Sequence, residues 1–293
     1  MAVLFGSIFS DSIVGTFGND EIYAFEGNDV IFGGFGNDFT NGGFGFDVMD
    51  YSFLGEPVTL LPSGFIDKNG LGTDQLFSVE GIIGAVGEFN VIDGSSGNGI
   101  TSFSIDLSQN SLTVNDIPGL GDFSFYVENF VDVIGTPNAD TIIGDDAGNI
   151  ISGQGGDDVL LGGDGNDLVI GGSGADFISG TNVASGGFGE VDTLIGGSGG
   201  DVFALGDDIG GYYIADGNND FAEITDFSVN DLILLGAGEF YSILSDASGF
   251  DLFAVTSGVL ELVADVQTTS SFAVPAGVFQ LASGQTVGNF VGA

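Results

Sequence analysis

The chain has 293 residues, with 42 acidic residues against a single basic one (Lys68), no His, no Cys and a formal net charge of −41. One cation leaves nothing to neutralise phosphates, which excludes nucleic acid and anionic membrane surfaces as partners, and the lack of Cys excludes disulfides and thiolate metal sites. Yet 43% of the residues are hydrophobic and 28 are Phe, more apolar content than a disordered polyanion carries.

The opening stretch, MAVLFGSIFSDSIVG, has neither a basic region nor a long apolar run, so it does not read as a cleaved signal peptide. No run approaches the roughly 20 apolar residues that span a bilayer, and no membrane insertion is expected. A nine-residue register then begins at Asp11, Asp20, Asp29, Asp38 and Asp47. Two places after these stand Ile13, Ile22, Ile31, Thr40 and Met49, and two places before the last four stand Gly18, Gly27, Gly36 and Gly45. Each unit reads as a glycine-bearing tight turn followed by three residues of strand, whose central residue points inward and whose neighbours point outward. Two units make one coil, so each turn stacks on the turn 18 residues away, at about 4.8 Å. Asp20 is then expected over Asp38, and Asp29 between Asp11 and Asp47. Residues 1–50 form the first repeat block.

Residues 51–134 leave the register. LFSVEGIIG (76–84) and FYVENFVDVIG (125–135) echo each other, and a buried, hydrogen-bonded structural role is expected for Glu80 and Glu128 within them. TSFSIDLSQNSLTV (101–114) alternates like a strand pair around a Gln-Asn turn. The segment reads as a β-rich insertion or irregular coils.

The register returns at Asp140, Asn149, Asp158, Asp167 and Asp176, with Gly156, Gly165 and Gly174 two places before the last three and Ile142, Ile151, Leu160, Val169 and Ile178 as the inward residues. Asp140, Asp158 and Asp176 are expected in one column, Asn149 and Asp167 in the other. GTNVASGGFGEVD (180–192) reads as a turn enlarged by seven residues, after which Asp192 and Asp201 resume the spacing. Residues 135–211 form the second block, and 212–293 a β-rich cap. Within the cap, DGNND (216–220) offers alternating oxygen ligands, but Phe221 follows where a calcium loop of the EF-hand type has glycine, so a surface turn is an equal reading.

Columns of carboxylates do not assemble bare. Two unit charges about 5 Å apart repel by roughly 0.8 kcal/mol in water and by several times more near a low-dielectric surface. A cation between successive turns turns that repulsion into bonding, with backbone carbonyls completing its shell. Oxygen-only ligands in a flexible cage favour calcium over magnesium, and without His or Cys zinc and copper fit poorly.

GGFGNDFTN (33–41), GGFGFDVMD (42–50), GQGGDDVLL (153–161), GGDGNDLVI (162–170) and GGSGADFIS (171–179) resemble the hemolysin-type calcium-binding nonapeptide of RTX proteins. The resemblance implies an all-β fold, a parallel β-roll with several calcium ions held between stacked turns. It implies carboxylate ligands at Asp20, Asp29, Asp38, Asp47, Asp158, Asp167 and Asp176, and turn carbonyls at the glycine positions. Asp11, Asp140, Asn149, Asp192 and Asp201 share the register as further candidates. AFEGND (24–29) lacks the leading glycines and Asn149 replaces Asp, so weaker sites are expected there. DVFALGDD and ITDFSVNDLILLG (224–236) resemble the segment that closes many RTX rolls, where Asp226 and Asp231 hold a further ion or cap a turn. The family also implies an uncleaved C-terminal secretion signal of the type I route and a secreted, extracellular or cell-surface location.

Catalysis is not expected: general acid–base chemistry most often uses His, a Cys nucleophile is absent, a Ser nucleophile would lack a His base, and the paired carboxylates belong to the repeat. Phe17, Phe35, Phe44 and Phe188 occupy turn positions that project outward, and Val30, Phe32, Phe39, Leu161, Leu168, Ile170 and Phe177 flank inward residues. These mark either an interaction surface or a face covered by the insertion or cap. The expected function is a secreted structural protein that folds on calcium and self-associates into a homo-oligomer or polymer, as a fibre, surface layer or matrix. The alternative is an adhesin-like module binding a cell-surface glycan or other surface partner.

Overall fold

Strands of three residues between glycine-rich turns cannot bury a face alone; they gain a core only by stacking coil on coil. The computed structural model describes residues 1–62, 64–97, 99–119, 121–181, 186–207, 210–214, 219–236, 241–245, 248–256, 259–268 and 279–281. Residues 182–185 of the enlarged turn, 216–218 of DGNND and the stretch from 282 onward, where a C-terminal signal is expected, lie outside them. The described residues are all-β, with one 3-10 turn at Leu107–Gln109, and no helix among them is long and apolar enough to cross a membrane. The chain divides into two compact units, Met1–Thr136 and Pro137–Ala293.

In the first unit β1 (Val3–Phe5), β3 (Glu21–Tyr23) and β5 (Phe39–Asn41) run parallel in one sheet, and β2 (Ser12–Val14), β4 (Val30–Phe32) and β6 (Val48–Asp50) run parallel in the other. Partners are 18 residues apart, as in Val3 with Glu21 and Ser12 with Val30. The central residues Ile22, Ile31, Thr40 and Met49 are fully buried between the sheets. Both sheets continue past the repeats. An antiparallel trio, β7 (Thr59–Leu61), β8 (Phe65–Asp67) and β9 (Thr73–Phe77), joins the first sheet by parallel pairing of β9 with β5, and β10 (Gly81–Ile83) pairs with β6 in the second. Beyond them β11 (Asn90–Asp93) pairs with β7 and with β15 (Phe130–Ile134). The strand pair anticipated at 101–114 is an antiparallel meander of β12 (Ser102–Asp106), β13 (Ser111–Ile117) and β14 (Gly121–Glu128), turning through Asn110 at φ 54°. Glu80 and Glu128 are half-buried rather than buried, because their carboxylates lie at the sheet surface, where Glu80 takes the Asp47 N–H and Glu128 the Tyr126 hydroxyl.

In the second unit β16 (Thr141–Ile143), β18 (Val159–Gly163), β20 (Phe177–Thr181), β22 (Val202–Leu205), β24 (Leu232–Leu235) and β28 (Phe279–Leu281) form one parallel sheet. Facing it, β17 (Ile150–Gly155), β19 (Leu168–Ser173), β21 (Val191–Ser198), β23 (Phe221–Phe227) and β27 (Val259–Thr268) run parallel, with β26 (Gly249–Thr256) and β25 (Tyr241–Ser245) added antiparallel at the edge. Leu168 pairs with Thr193 and Phe177 with Val202, so the spacing widens to 25 residues at the enlarged turn while the pairing stays in phase. Ile142, Ile151, Leu160, Val169, Ile178, Leu194 and Phe203 fill the core.

One turn position shows what glycine does here. Gly34, Gly43, Gly163 and Gly172, four places before an Asp, lie at φ between 83° and 119°, whereas Gln154 and Phe25 hold the same place at φ 71° and 78°. That conformation costs a residue with a Cβ about 1–2 kcal/mol. Gln154→Gly is therefore expected to stabilise the chain by about 0.5–1 kcal/mol after glycine's larger loss of backbone freedom. Chemical denaturation checks it, and a lower midpoint would mean the turn carries no strain.

Candidate metal centres

From Asp20 in the first unit and Asp158 in the second, the turn Asp residues use one carboxylate oxygen to hold the coil before. Oδ1 of Asp29, Asp38 and Asp47 accepts the backbone N–H of Asp11, Asp20 and Asp29 at 2.7, 2.8 and 2.9 Å. In the second unit Asp158, Asp167 and Asp176 do the same for Asp140, Asn149 and Asp158 at 2.8, 2.8 and 2.9 Å. Across the wider spacing Asp192, Asp201 and Asp231 take the N–H of Asp167, Asp176 and Asp201 at 2.8, 3.0 and 3.0 Å. Two further carboxylates extend the ladders: Asp74 Oδ1 takes the Asp38 N–H at 3.0 Å, and Glu80 Oε2 that of Asp47 at 2.9 Å. Asp74 stands 36 residues after Asp38, two full coils, so a search at twice the period finds it. Glu80, 33 residues after Asp47, has no such signal.

The second oxygen distinguishes the sites. Oδ2 of Asp29, Asp47, Asp158, Asp167, Asp176 and Asp201 is buried without a hydrogen-bond partner. In five of these turns it faces the glycine five places earlier: a Cβ on Gly42, Gly153, Gly162, Gly171 or Gly196 would collide with it. The same Cβ would also press on a carbonyl of the next coil, that of Ser78 at Gly42, Gly171 at Gly153, Gly180 at Gly162 and Gly196 at Gly171. At Gly42, Gly153, Gly162 and Gly171 carboxylate and carbonyl oxygen thus converge where only a residue without a side chain fits. Among the described residues no three carboxylates converge on one point, so the donor set is one or two carboxylates plus carbonyls. Hard all-oxygen sets of this kind suit calcium.

Without a cation Asp47, Asp158, Asp167, Asp176 and Asp201 resist ionisation. Burial, with smaller contributions from neighbouring Asp192, Glu190 and Asp145, pushes Asp167 up to about 8, against the pull of the Asn149 N–H. Burial, then Asp176, Asp140 and Asp157, raises Asp158 to about 7. Asp47 and Asp201 rise to about 6, again chiefly through burial, and Asp176 rises for the same reason. Glu190, in the enlarged turn and outside the repeat pattern, is pushed up to about 7 by burial; its Oε1 accepts the Gly165 N–H at 3.1 Å and its Oε2 has no partner.

For Asp11, Asp20, Asp38, Asn149, Asp192, Asp226 and Asp231 the protein itself supplies partners. Asp11 Oδ2 takes the Ser7 N–H at 2.5 Å, and Asp20 Oδ2 takes the Thr16 N–H and hydroxyl at 2.6 and 2.8 Å. Tyr213 donates its hydroxyl to Asp192 Oδ2 at 2.5 Å. Asn149 is tied to Asp145 through both ends of its amide. Asp226 accepts the Gly196 and Gly197 N–H groups at 2.9 and 2.7 Å, and Asp231 Oδ2 the Ser228 N–H at 2.6 Å, so both cap turns. Asp38 Oδ2 meets Lys68. Asp140 lies buried at the head of its column. Gly27, Gly36, Gly45, Gly156, Gly165 and Gly174 have left-handed backbone, with φ from 98° to 139°, and pack against the coil before; Gly18 does not, and only the Met1 nitrogen lies near it.

Around the first unit's turns the rings stand outside. Phe17 and Phe44 are 85% and 80% exposed. Phe17 packs on Phe35, one coil on, at 5.4 Å between ring centres, and Phe5 stacks on Tyr23 at 5.9 Å. Phe188 of the second unit is 60% exposed.

The RTX calcium-binding nonapeptide repeat matches the chain in four overlapping copies, at residues 5–40, 15–49, 134–169 and 143–178. No curated protein matches the chain. Among solved structures, the extracellular lipase LipA from Serratia marcescens aligns with 92% of this chain and 40% of its own length, at 16% identity and a TM-score of 0.29. At that score the likeness carries no argument, and the chain spans well under half the lipase.

Proposed function

We propose, from the premise that this chain is an RTX-repeat β-roll binding several calcium ions, that it is a non-catalytic extracellular structural protein which folds on calcium and then self-associates. The observation that carries the reading is the set of six buried Oδ2 atoms without a hydrogen-bond partner. Placing such charges in a core is unfavourable until a cation joins them. At low cytosolic calcium their repulsion, in a chain of net charge −41, opposes folding. At the roughly 10⁻⁴–10⁻³ M calcium affinities typical of extracellular modules, filling the holes adds binding energy to folding, about 2.7 kcal/mol per site at a hundredfold excess over Kd. RTX proteins typically leave the cell by the type I route, which fits this order of events. Asp38 and Asp192, closed by Lys68 and Tyr213, are not counted among the loaded sites.

Self-association draws on the outer rings of the first unit. Phe5, Phe9, Phe17, Phe44 and Phe46 are all exposed, and exposed apolar groups clustered on one unit mark contact surfaces. A second reading rests on a cavity of about 320 Å³ lined by Ile8, Tyr23, Phe25, Glu26, Asn41, Gly43 and Phe44. Rings beside a carboxylate and an amide suit the apolar face and hydroxyls of a sugar, as in an adhesin.

Circular dichroism of the calcium-stripped chain at pH 8 is expected to lose most of the β signal and to regain it on calcium addition; a metal-free chain with full signal would sink the folding half. Negative-stain microscopy during the same addition is expected to show polymer. A persistently monomeric product that binds a glycan array would favour the adhesin instead.

A further inference from the structure

We infer that the ammonium of Lys68 replaces a calcium ion between the coils of Asp38 and Asp74, so that this rung is closed without metal and the chain loads one ion fewer than its ladder provides for. The inference rests on the calcium reading of the open sites. Lys68 is the only Lys or Arg in 293 residues, and it is fully buried. A sole cation serving solubility would stand in water; Lys is rarely fully buried unless paired.

Its contacts define the role. The Nζ donates to the Gly34 carbonyl at 2.8 Å and to Asp38 Oδ2 at 3.2 Å, and lies 2.5 Å from Asp74 Oδ1. An ammonium has three N–H donors and no acceptor, and here it meets three oxygens. The fourth, Asp74 Oδ2, takes the Tyr51 hydroxyl at 2.9 Å. One of these oxygens corresponds by register to those of the open holes. Asp38 Oδ2 is the atom left without a partner at Asp29, Asp47, Asp158, Asp167, Asp176 and Asp201. The Gly34 carbonyl, four places before its Asp, has no counterpart among the carbonyls at the open holes, of which those of Gly171 and Gly196 stand five places before Asp176 and Asp201. Asp74 Oδ1 holds the N–H of Asp38 as Asp176 Oδ1 holds that of Asp158.

The local chain is built to deliver the side chain. Lys68 begins the turn from β8 to β9, where its N–H donates to the Gly72 carbonyl and its carbonyl accepts the Leu71 N–H. Asn69, Gly70 and Gly72 take φ of 49°, 89° and 126° to close that turn. A hairpin thus stands where a repeat turn would, and supplies a cation in place of one. Two carboxylates with one ammonium leave a net charge of −1 in the hole; a divalent ion in its place would neutralise them. Removing the side chain therefore opens a latent calcium site.

The test compares the full chain with Lys68→Ala, which empties the hole, and Lys68→Gln, which offers an amide oxygen. Calcium bound per chain is counted by equilibrium dialysis and atomic emission at saturating calcium. Each variant is expected to hold one ion more than wild type. A variant that folds, by circular dichroism, and holds no additional ion overturns the inference while leaving the calcium reading intact; a wild type that holds no calcium takes down both. Should the variants not fold, the wild type still decides. Lys68 carries the only side-chain amine, so acetic anhydride labelling of the calcium-loaded protein reads it directly. Acylation is expected at least about 100-fold slower than in denaturant, since access needs local opening. Acylation at the denatured rate in saturating calcium would mean that the ion displaces the ammonium, and would overturn the inference.

Discussion

Gly162→Ala is expected to abolish the ion at Asp167 and to destabilise the second unit by about 3 kcal/mol or more, the range of a buried charge left unpaired or a core forced open. Gly162 ends no helix and needs no left-handed backbone; its role is to be small. A Cβ there would collide with Asp167 Oδ2 and with the Gly180 carbonyl of the next coil, two of the oxygens that line the hole. Relief requires either turning the carboxylate away, which breaks its 2.8 Å bond to the Asn149 N–H, or spreading the coils, which weakens the pairing of Leu161 with Ser179 and Gly163 with Thr181. Both routes remove the metal site. Gly210, where a Cβ would meet nothing within 4 Å, is the control: Gly210→Ala is expected to change stability by less than about 0.5 kcal/mol. Thermal melts in calcium, with calcium counted per chain, measure both. A Gly162→Ala chain with wild-type melting and ion count would show that the hole is not where the ion sits.

The calcium-stripped chain is expected to be more stable at pH 5 than at pH 8.5, the reverse of what paired carboxylates produce. Asp167 at about 8 and Asp158 at about 7, with Asp47 and Asp201 at about 6, all lie above the ordinary value of 3.8, chiefly because burial disfavours their charge. Between that ordinary value and the folded one, the folded state binds protons that the unfolded state has released. Stability is therefore fully present below about pH 4 and is lost as pH rises through 6 to 8. Asp20 opposes this weakly: burial pushes it up, but the Thr16 N–H and hydroxyl and the Ala2 N–H outweigh that and hold it low, so its contribution is lost only on acidification. After allowance for solvent screening, each of these four raised carboxylates contributes on the order of 1 kcal/mol to the loss. With calcium in excess the slope inverts, because protons and calcium compete for the same oxygens. Binding at pH 7 should release protons, visible as a dependence of the titration heat on buffer ionisation enthalpy. A stripped chain whose melting temperature climbs from pH 5 to 8.5 would show that these carboxylates are paired within the protein.

How much of this is legible in residues alone differs between the two oxygens of one side chain. The Oδ1 ladder follows from period: Asp38 must meet Asp20 because 18 residues complete a coil, and each coil touches only its neighbours. The inward row of Ile22, Ile31 and Met49 follows from strand alternation in the same way. The outward rings at Phe17 and Phe35 follow too, although their contact with each other at 5.4 Å needed the coil spacing in three dimensions. The Oδ2 atoms do not follow. Asp38 and Asp167 stand in the same motif, GGxGND, yet one is closed by Lys68 from 30 residues away and the other is open. Asp192 is closed by Tyr213, 21 residues on. Those partners come from a hairpin and from segments outside the repeat, which carry no period from which to compute a neighbour. Local spacing alone gives away the roll, its register and the first oxygen of the rungs that keep the period, but not that of Glu80, 33 residues after Asp47. Which second oxygens remain free for a cation is set in three dimensions, by which distant side chain reaches each of them first.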